Sequence, residues 1–280
     1  MQFDGDYREA ACAAIDTAYG LTAQGSATPG AFVVPSTASR ITEIRIGLGG
    51  ISSDTVADIC CSVYIHGAGV HLGSGHFAGP IAGTAGAAAT SGGYSFGKLM
   101  IYKTNIPVTP GAQFDADAYI YGTDSGTAHV FLQVIYDGTP GRIRDGDIRE
   151  VALTTANTEV DVTNRGTGAA GNFEPVGTIG EIIFGVALTP TGHATDGLVG
   201  ACALALSGPG LLLAGNYKFL GNCGFVEPDT DVHGPGVVQA LPERYECGAG
   251  IRIKSGKITA KAQVLESTQA GNAIVGLCYV

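Results

Sequence analysis

The most suggestive spacing of chemistry-bearing side chains is Glu227-x-Asp229-x-Asp231-x-His233. Alternate oxygen donors on a stretch rich in Gly and Pro could wrap a hard cation such as calcium. An EF-hand is excluded. It requires Gly at the sixth position and Glu at the twelfth, where Val232 and Val238 stand. These four residues are therefore candidate calcium ligands, set against a plainer reading as a solvated polar loop. His66, His71 and His76 are spaced by five. In a strand that spacing alternates faces, so they converge only if Gly67, Gly69, Gly73 and Gly75 make a turn. Asp115 and Asp117 share one face of a strand. Glycosidase chemistry would need a matched partner across a cleft, so solvent-facing carboxylates are expected. The sequence holds no Cys-x-x-Cys pair and no phosphate-cradling loop before a helix. No catalytic set is expected, and no cofactor other than calcium comes into question.

The elements that would position these residues are strands. With 44 Gly in 280 residues and only 14% charged residues, the composition suits short β-branched runs joined by tight turns. One strand pattern occurs twice. Residues 57–67 match 198–208 at an offset of 141, with Cys61 on Cys202, Val63 on Leu204, Ile65 on Leu206 and Gly67 on Gly208. Shared parity means that both segments bury the same edge of the pleat. Glu43 to Leu48 matches Glu181 to Val186 at an offset of 138, and Phe114 to Tyr136 matches Lys257 to Tyr279. Three pairs in one order indicate a duplicated β domain.

The expected organisation is an N-terminal helical arm over 1–24, a first sandwich over 25–138, a linker over 139–156 and a second sandwich over 157–280. In the arm, Tyr7, Ala11, Ala14, Ile15 and Ala18 fall on one helical face. Arg142, Arg144 and Arg149 alternate with Asp145, Asp147 and Glu150 and read as a solvated linker whose field cancels. Strands are expected near 31–34, 40–48, 57–66, 69–77, 98–104, 112–121 and 127–136. In the second half they fall near 158–163, 179–188, 197–206, 210–219, 250–254, 257–265 and 272–280. Two long loops, 79–97 and 221–248, are expected midway in the halves. Each half then approaches the eight strands of a jelly roll, with an immunoglobulin-like sandwich as the competitor.

A net charge of −10 with 15 Lys and Arg argues against direct contact with nucleic acid. The N-terminus shows no basic region followed by an apolar stretch, and the longest apolar run, Leu198 to Leu206, is too short to span a bilayer. A soluble protein made in a cytoplasm is the expectation. Seven Cys, an odd count, suit buried free thiols, with Cys223–Cys247 as a disulfide only under oxidising conditions. The absence of Trp argues against a sugar-stacking surface, although the 11 Tyr could substitute.

Taken together, the repeat, the midway loops, the short N-terminal helix and the missing catalytic set resemble the double jelly-roll major capsid proteins of tailless icosahedral viruses. That resemblance implies two tandem jelly-roll β-sandwiches in an all-β chain. It implies a homotrimer of pseudo-six-fold shape, tiled into the capsid of a virion. Partners would be further copies of the chain, minor capsid proteins or an internal membrane. The loops at 79–97 and 221–248 would form the outer crown or intersubunit contacts, and residues 1–20 the inward arm. The chain is short for that family, and its arm is acidic rather than basic. Alternatives are an extracellular surface-layer, filament or glycan-binding subunit, and an enzyme on the same fold such as a copper monooxygenase or glycoamidase. The enzyme predicts histidines or carboxylates converging where the halves meet.

Overall fold

The computed structural model describes residues 4–22, 30–52, 57–84, 99–122, 127–163, 172–175, 177–189, 202–211, 217–224, 237–251, 257–265 and 270–280. All regular elements among them are β-strands. The candidate ligands Glu227, Asp229, Asp231 and His233 lie outside the described residues.

In the first half, β1 (Asp4–Cys12), β9 (Thr127–Tyr136), β4 (Arg40–Ser52) and β7 (Met100–Pro107) form one sheet in the order β1-β9-β4-β7. A second sheet runs β6 (His76–Thr84), β5 (Ala57–His66), β8 (Gln113–Gly122), β2 (Tyr19–Gly20), with β3 (Phe32–Val33) also on β8. Alternation decides which face each strand buries. In β9, Ala128, Val130, Leu132, Val134 and Tyr136 are buried while the residues between them are half-buried. The inward set meets Ile44, Ile46 and Leu48 of β4 and Ile59, Cys61, Val63 and Ile65 of β5 in one core.

The second half repeats this pairing. β10 (Asp145–Leu153), β18 (Ala270–Tyr279), β12 (Ile179–Thr189) and β16 (Glu243–Ile251) lie in the order β10-β18-β12-β16. β14 (Tyr217–Gly224), β13 (Cys202–Ser207), β17 (Thr259–Val264) and β11 (Val160–Asp161) follow as β14-β13-β17-β11. Three residues of β14 also run parallel to β12, at Gly185–Ala187. The repeat reaches the irregularities. A bulge interrupts β4–β9 between Ile41 and Glu43, and one interrupts β12–β18 between Ile179 and Glu181. Gly67 and Gly208 both take φ 120 at the turn after their strand, a conformation side chains disfavour.

Several expectations are corrected. The N-terminal helix is absent, because residues 4–12 form β1 and pair along their whole length with β9. An Ala-rich stripe buries little as a helix. As a strand the segment instead turns Ala10 and Cys12, which lie off that stripe, into the core and completes the ladder of β9. Residues 145–153, expected within the linker, form β10, paired throughout with β18. The expected loop 79–97 begins as strand, since β6 continues to Thr84. The expected loop 221–248 contains β15 (Val237–Ala240), which pairs with β6, and most of β16. Small residues here reflect close packing. A Cβ on Gly79 would strike the Cys61 sulfur, and one on Gly221 would strike Phe184.

The halves meet face to face. Outward residues of the second half's first sheet, Ile148, Ile183, Ala187, Ile274 and Cys278, join the first half's core cluster. They cover the outer side of β5 and β6, where Cys60 donates its thiol to the Asn272 carbonyl at 3.2 Å. β18 is consequently buried on both faces from Gly271 to Tyr279.

Candidate functional site

Where the halves join, β10 opens with Asp145-Gly-Asp147-x-Arg149-Glu150, and β1 opens with Asp4-Gly-Asp6-x-Arg8-Glu9, 141 positions earlier (145 minus 4). Both copies build the same local structure. Arg8 donates to Asp6 at 2.5 Å and to the Tyr7 carbonyl at 2.8 Å, and its guanidinium lies 4.9 Å from the centre of the Phe32 ring. Arg149 donates to Asp147 at 2.6 Å and to the Ile148 carbonyl at 2.6 Å, and sits 4.8 Å from the Phe173 ring. Each ion pair is thus clamped over an aromatic face, which holds a buried charge in place. Across the ladder, Tyr136 faces Asp4 and Tyr279 faces Asp145. Burial pushes both phenols well above their usual range, with the nearby carboxylates adding to the rise. The alternating charges of 145–150 predict a solvated linker, yet Asp145, Asp147, Arg149 and Glu150 are all buried.

The first residue of the pattern separates the copies. Asp145 is buried and accepts four backbone N–H groups. Its Oδ1 receives Gly75 and Gly146 at 2.8 Å each, and its Oδ2 receives Gly73 at 3.0 Å and Ser74 at 2.8 Å. A carboxylate of the second half therefore holds the β5–β6 turn of the first. Hydrogen bonds to a charged acceptor are among the stronger kind, each contributing about 1.5–3 kcal/mol. Asp4 accepts the Gly5 N–H at 2.8 Å, as Asp145 does from Gly146, but stands exposed.

The three histidines sit around this turn without converging. His66 contacts Asp117 at 3.1 Å and His71 contacts Thr109 at 3.2 Å. His76 bonds the Ser74 carbonyl at 2.8 Å through Nδ1. Tyr64 is stacked with both His66, at 4.6 Å between ring centres, and His76, at 4.2 Å. Asp117 is half-buried against His66, and Asp115 is exposed, as the strand reading expects. No group of three His, Cys, Asp or Glu side chains among the described residues is arranged to hold a metal ion. Cys12, Cys60, Cys61, Cys202, Cys247 and Cys278 are free thiols. Burial raises the Cys12 thiol to about 12, and Cys61 and Cys278 rise for the same reason.

A cleft of about 580 Å³ opens where β7 meets β12 and β16, lined by Lys103, Arg142, Glu181, Arg244 and Glu246 among others. Glu181 and Glu246 are opposite one another across the β12–β16 ladder. Arg244 occupies Glu181 with two nitrogens, at 2.5 and 3.2 Å, and donates as well to the Ile101 carbonyl. Burial works against the Arg244 charge, but the Glu181 carboxylate outweighs it and holds the guanidinium above its usual pKa. Within the cleft, Arg244 and Glu181 form an ion pair.

No protein-family model matches the sequence, and no curated protein matches it. Among solved structures, the chain is similar to PNGase F, a glycosylasparaginase from Flavobacterium meningosepticum. Identity is 11% over 99% of this chain and 96% of that one, with a TM-score of 0.39. A recombinant N-glycanase F aligns at 10% identity over 98% and 96%, with a TM-score of 0.37. A T=3 Penaeus vannamei nodavirus structure aligns at 9% identity over 99% and 88%, with a TM-score of 0.21. Likenesses at this level define neither the topology nor the activity of the chain.

Proposed function

We propose that the chain is a shell-forming structural subunit built from two tandem jelly rolls, a viral major capsid protein that assembles as a homotrimer of pseudo-six-fold shape. The observation that carries this reading is the duplication. The Asp-Gly-Asp-x-Arg-Glu clamp, the bulge and the strand pairings recur in both halves. In each half the first strand pairs with the last and antiparallel sheets pack face to face, which supports a jelly-roll reading. Two near-equivalent blocks in one chain let three chains present six similar edges to their neighbours through heterologous, closed contacts. The wide burial at the junction, with β18 covered on both faces, supports a chain that acts as one stiff tile. With the low positive charge, the genome would face another component.

Sedimentation and electron microscopy of the purified full-length protein test the reading. Trimers of the 28.3 kDa chain that pack into hexagonal arrays or closed shells are expected. A monomer at every concentration and salt condition contradicts it. A second reading, an enzyme or glycan-binding protein, draws on the cleft that brings Glu181 and Glu246 together at the junction. It predicts that Glu246→Gln abolishes binding or turnover of a glycan, whereas the shell reading predicts unchanged assembly.

A further inference from the structure

The junction inside the chain is a contact between the outer face of a second sheet (β5, β6) and the outer face of a first sheet (β10, β18, β12). Since the halves repeat, the chain also carries one uncovered copy of each face. The matching ladders fix which residues correspond. Ser62 pairs with Ala78 as Ala203 pairs with Leu220, so Leu220 stands where Ala78 stands. Ile183 pairs with Gly276 as Arg45 pairs with Gln133, so Gln133 stands where Gly276 stands. Likewise Tyr7 corresponds to Ile148, and Phe131 to Ile274.

Burial differs sharply between counterparts. Ala78, Ile148 and Ile274 are each 0% exposed, whereas Leu220 is 64% and Tyr7 43% exposed and Phe131 is half-buried. Two large apolar side chains thus stand in solvent at the positions the internal contact seals. The charges beside them are already paired within the chain: Arg45, opposite Gln133, with Glu43, and Lys218 with Glu159 at 4.0 Å.

We infer that the β1–β9–β4 face around Tyr7, Phe131 and Gln133 docks a second copy of this chain, on that copy's β13–β14 face around Leu220 and Lys218. This contact repeats between chains the one made within each. It is heterologous, and it leaves every copy with one donor face and one acceptor face, so a ring closes with no face unmatched. The inference rests on the reading of the chain as a self-assembling subunit and names the surfaces that assembly uses.

The internal contact supplies the ruler for a test. A Cβ built on Gly276 lies 3.8 Å from the Ala78 Cβ, within the span of paired cysteines. The equivalent intermolecular pair is Gln133 with Leu220. The double variant Gln133→Cys, Leu220→Cys is treated with a short bismaleimide, with each single variant as control. Covalent dimers and trimers on a denaturing gel are expected from the double variant alone. Separately, Leu220→Asp is expected to weaken association about 100-fold, as loss of a central apolar anchor does, with an unchanged melting temperature because the site is exposed in the single chain. A trimer that neither cross-links at this pair nor weakens with Leu220→Asp overturns the contact and leaves the shell reading standing. A chain that stays monomeric overturns both.

Discussion

Strands β1 and β10 begin with the same pattern and build the same clamp, yet they live in different surroundings. In β10 the residues between the core-facing ones are covered by the other half, and Asp145 is wrapped by four backbone amides. In β1 the corresponding residues meet solvent, and Asp4 keeps its local turn-like bond alone among its described hydrogen bonds. Local sequence therefore sets the clamp, and the neighbour sets whether the outer face is core or surface. The comparison also separates what stabilises one sandwich from what joins two.

The largest effect is expected at the position where the copies differ most. Asp145→Ala removes the acceptor for four N–H groups inside a buried contact and should cost about 4 kcal/mol, read as loss of midpoint in urea unfolding. Asp4→Ala should stay within about 0.5 kcal/mol, as ordinary surface changes do. Equal effects would break the comparison. Next comes the apolar contact. Ile274→Ala empties a fully buried site at the junction and should cost about 3 kcal/mol. Phe131→Ala, its half-buried counterpart, should cost less than half of that in the isolated chain. Arg8→Met and Arg149→Met sharpen the comparison from the other side. Each breaks an ion pair whose arginine is buried over an aromatic ring, so both should cost about 2–3 kcal/mol and by similar amounts.

The smallest effect depends on pH. Burial would raise the Glu43 carboxyl, but Lys103 and Arg45 outweigh it and hold it below its ordinary value. A depressed carboxylate stabilises the fold fully above its unfolded pKa and loses that contribution as pH falls through the folded value. Glu43→Gln should therefore lower the melting temperature slightly at pH 7 and make no difference once the wild-type carboxyl is protonated. Melting curves across that acid range check it.

Much of the strand framework was legible in alternation. Residues 127–136 were expected as a strand and form β9 over the same bounds, and 57–66 form β5 likewise. Alternation failed where side chains were small or charged. Residues 79–84 of β6 read as loop because a small residue such as Gly79 serves close packing between two layers, which local pattern does not reveal. β1 reads as a helix because Tyr7 and Ala11, four residues apart, share a face in a helix and in a strand alike. β10 reads as linker because its charges are buried only through partners far away in sequence. The repeated Asp-Gly-Asp-x-Arg-Glu was visible in the sequence all along, at the same offset of 141 that joins Cys61 to Cys202. What no local pattern could give is that Asp145 reaches across to the turn at 73–75, since that bond needs both halves in place.

The most direct test of one contact used twice is a cryo-electron microscopy structure of the assembled full-length protein. Six similar sandwiches around a three-fold axis are expected, with β1 and β9 of each chain against β13 and β14 of the next, superimposable on the internal junction. An assembly that leaves Tyr7 and Leu220 bare in solvent, or joins its copies through other faces, contradicts the account.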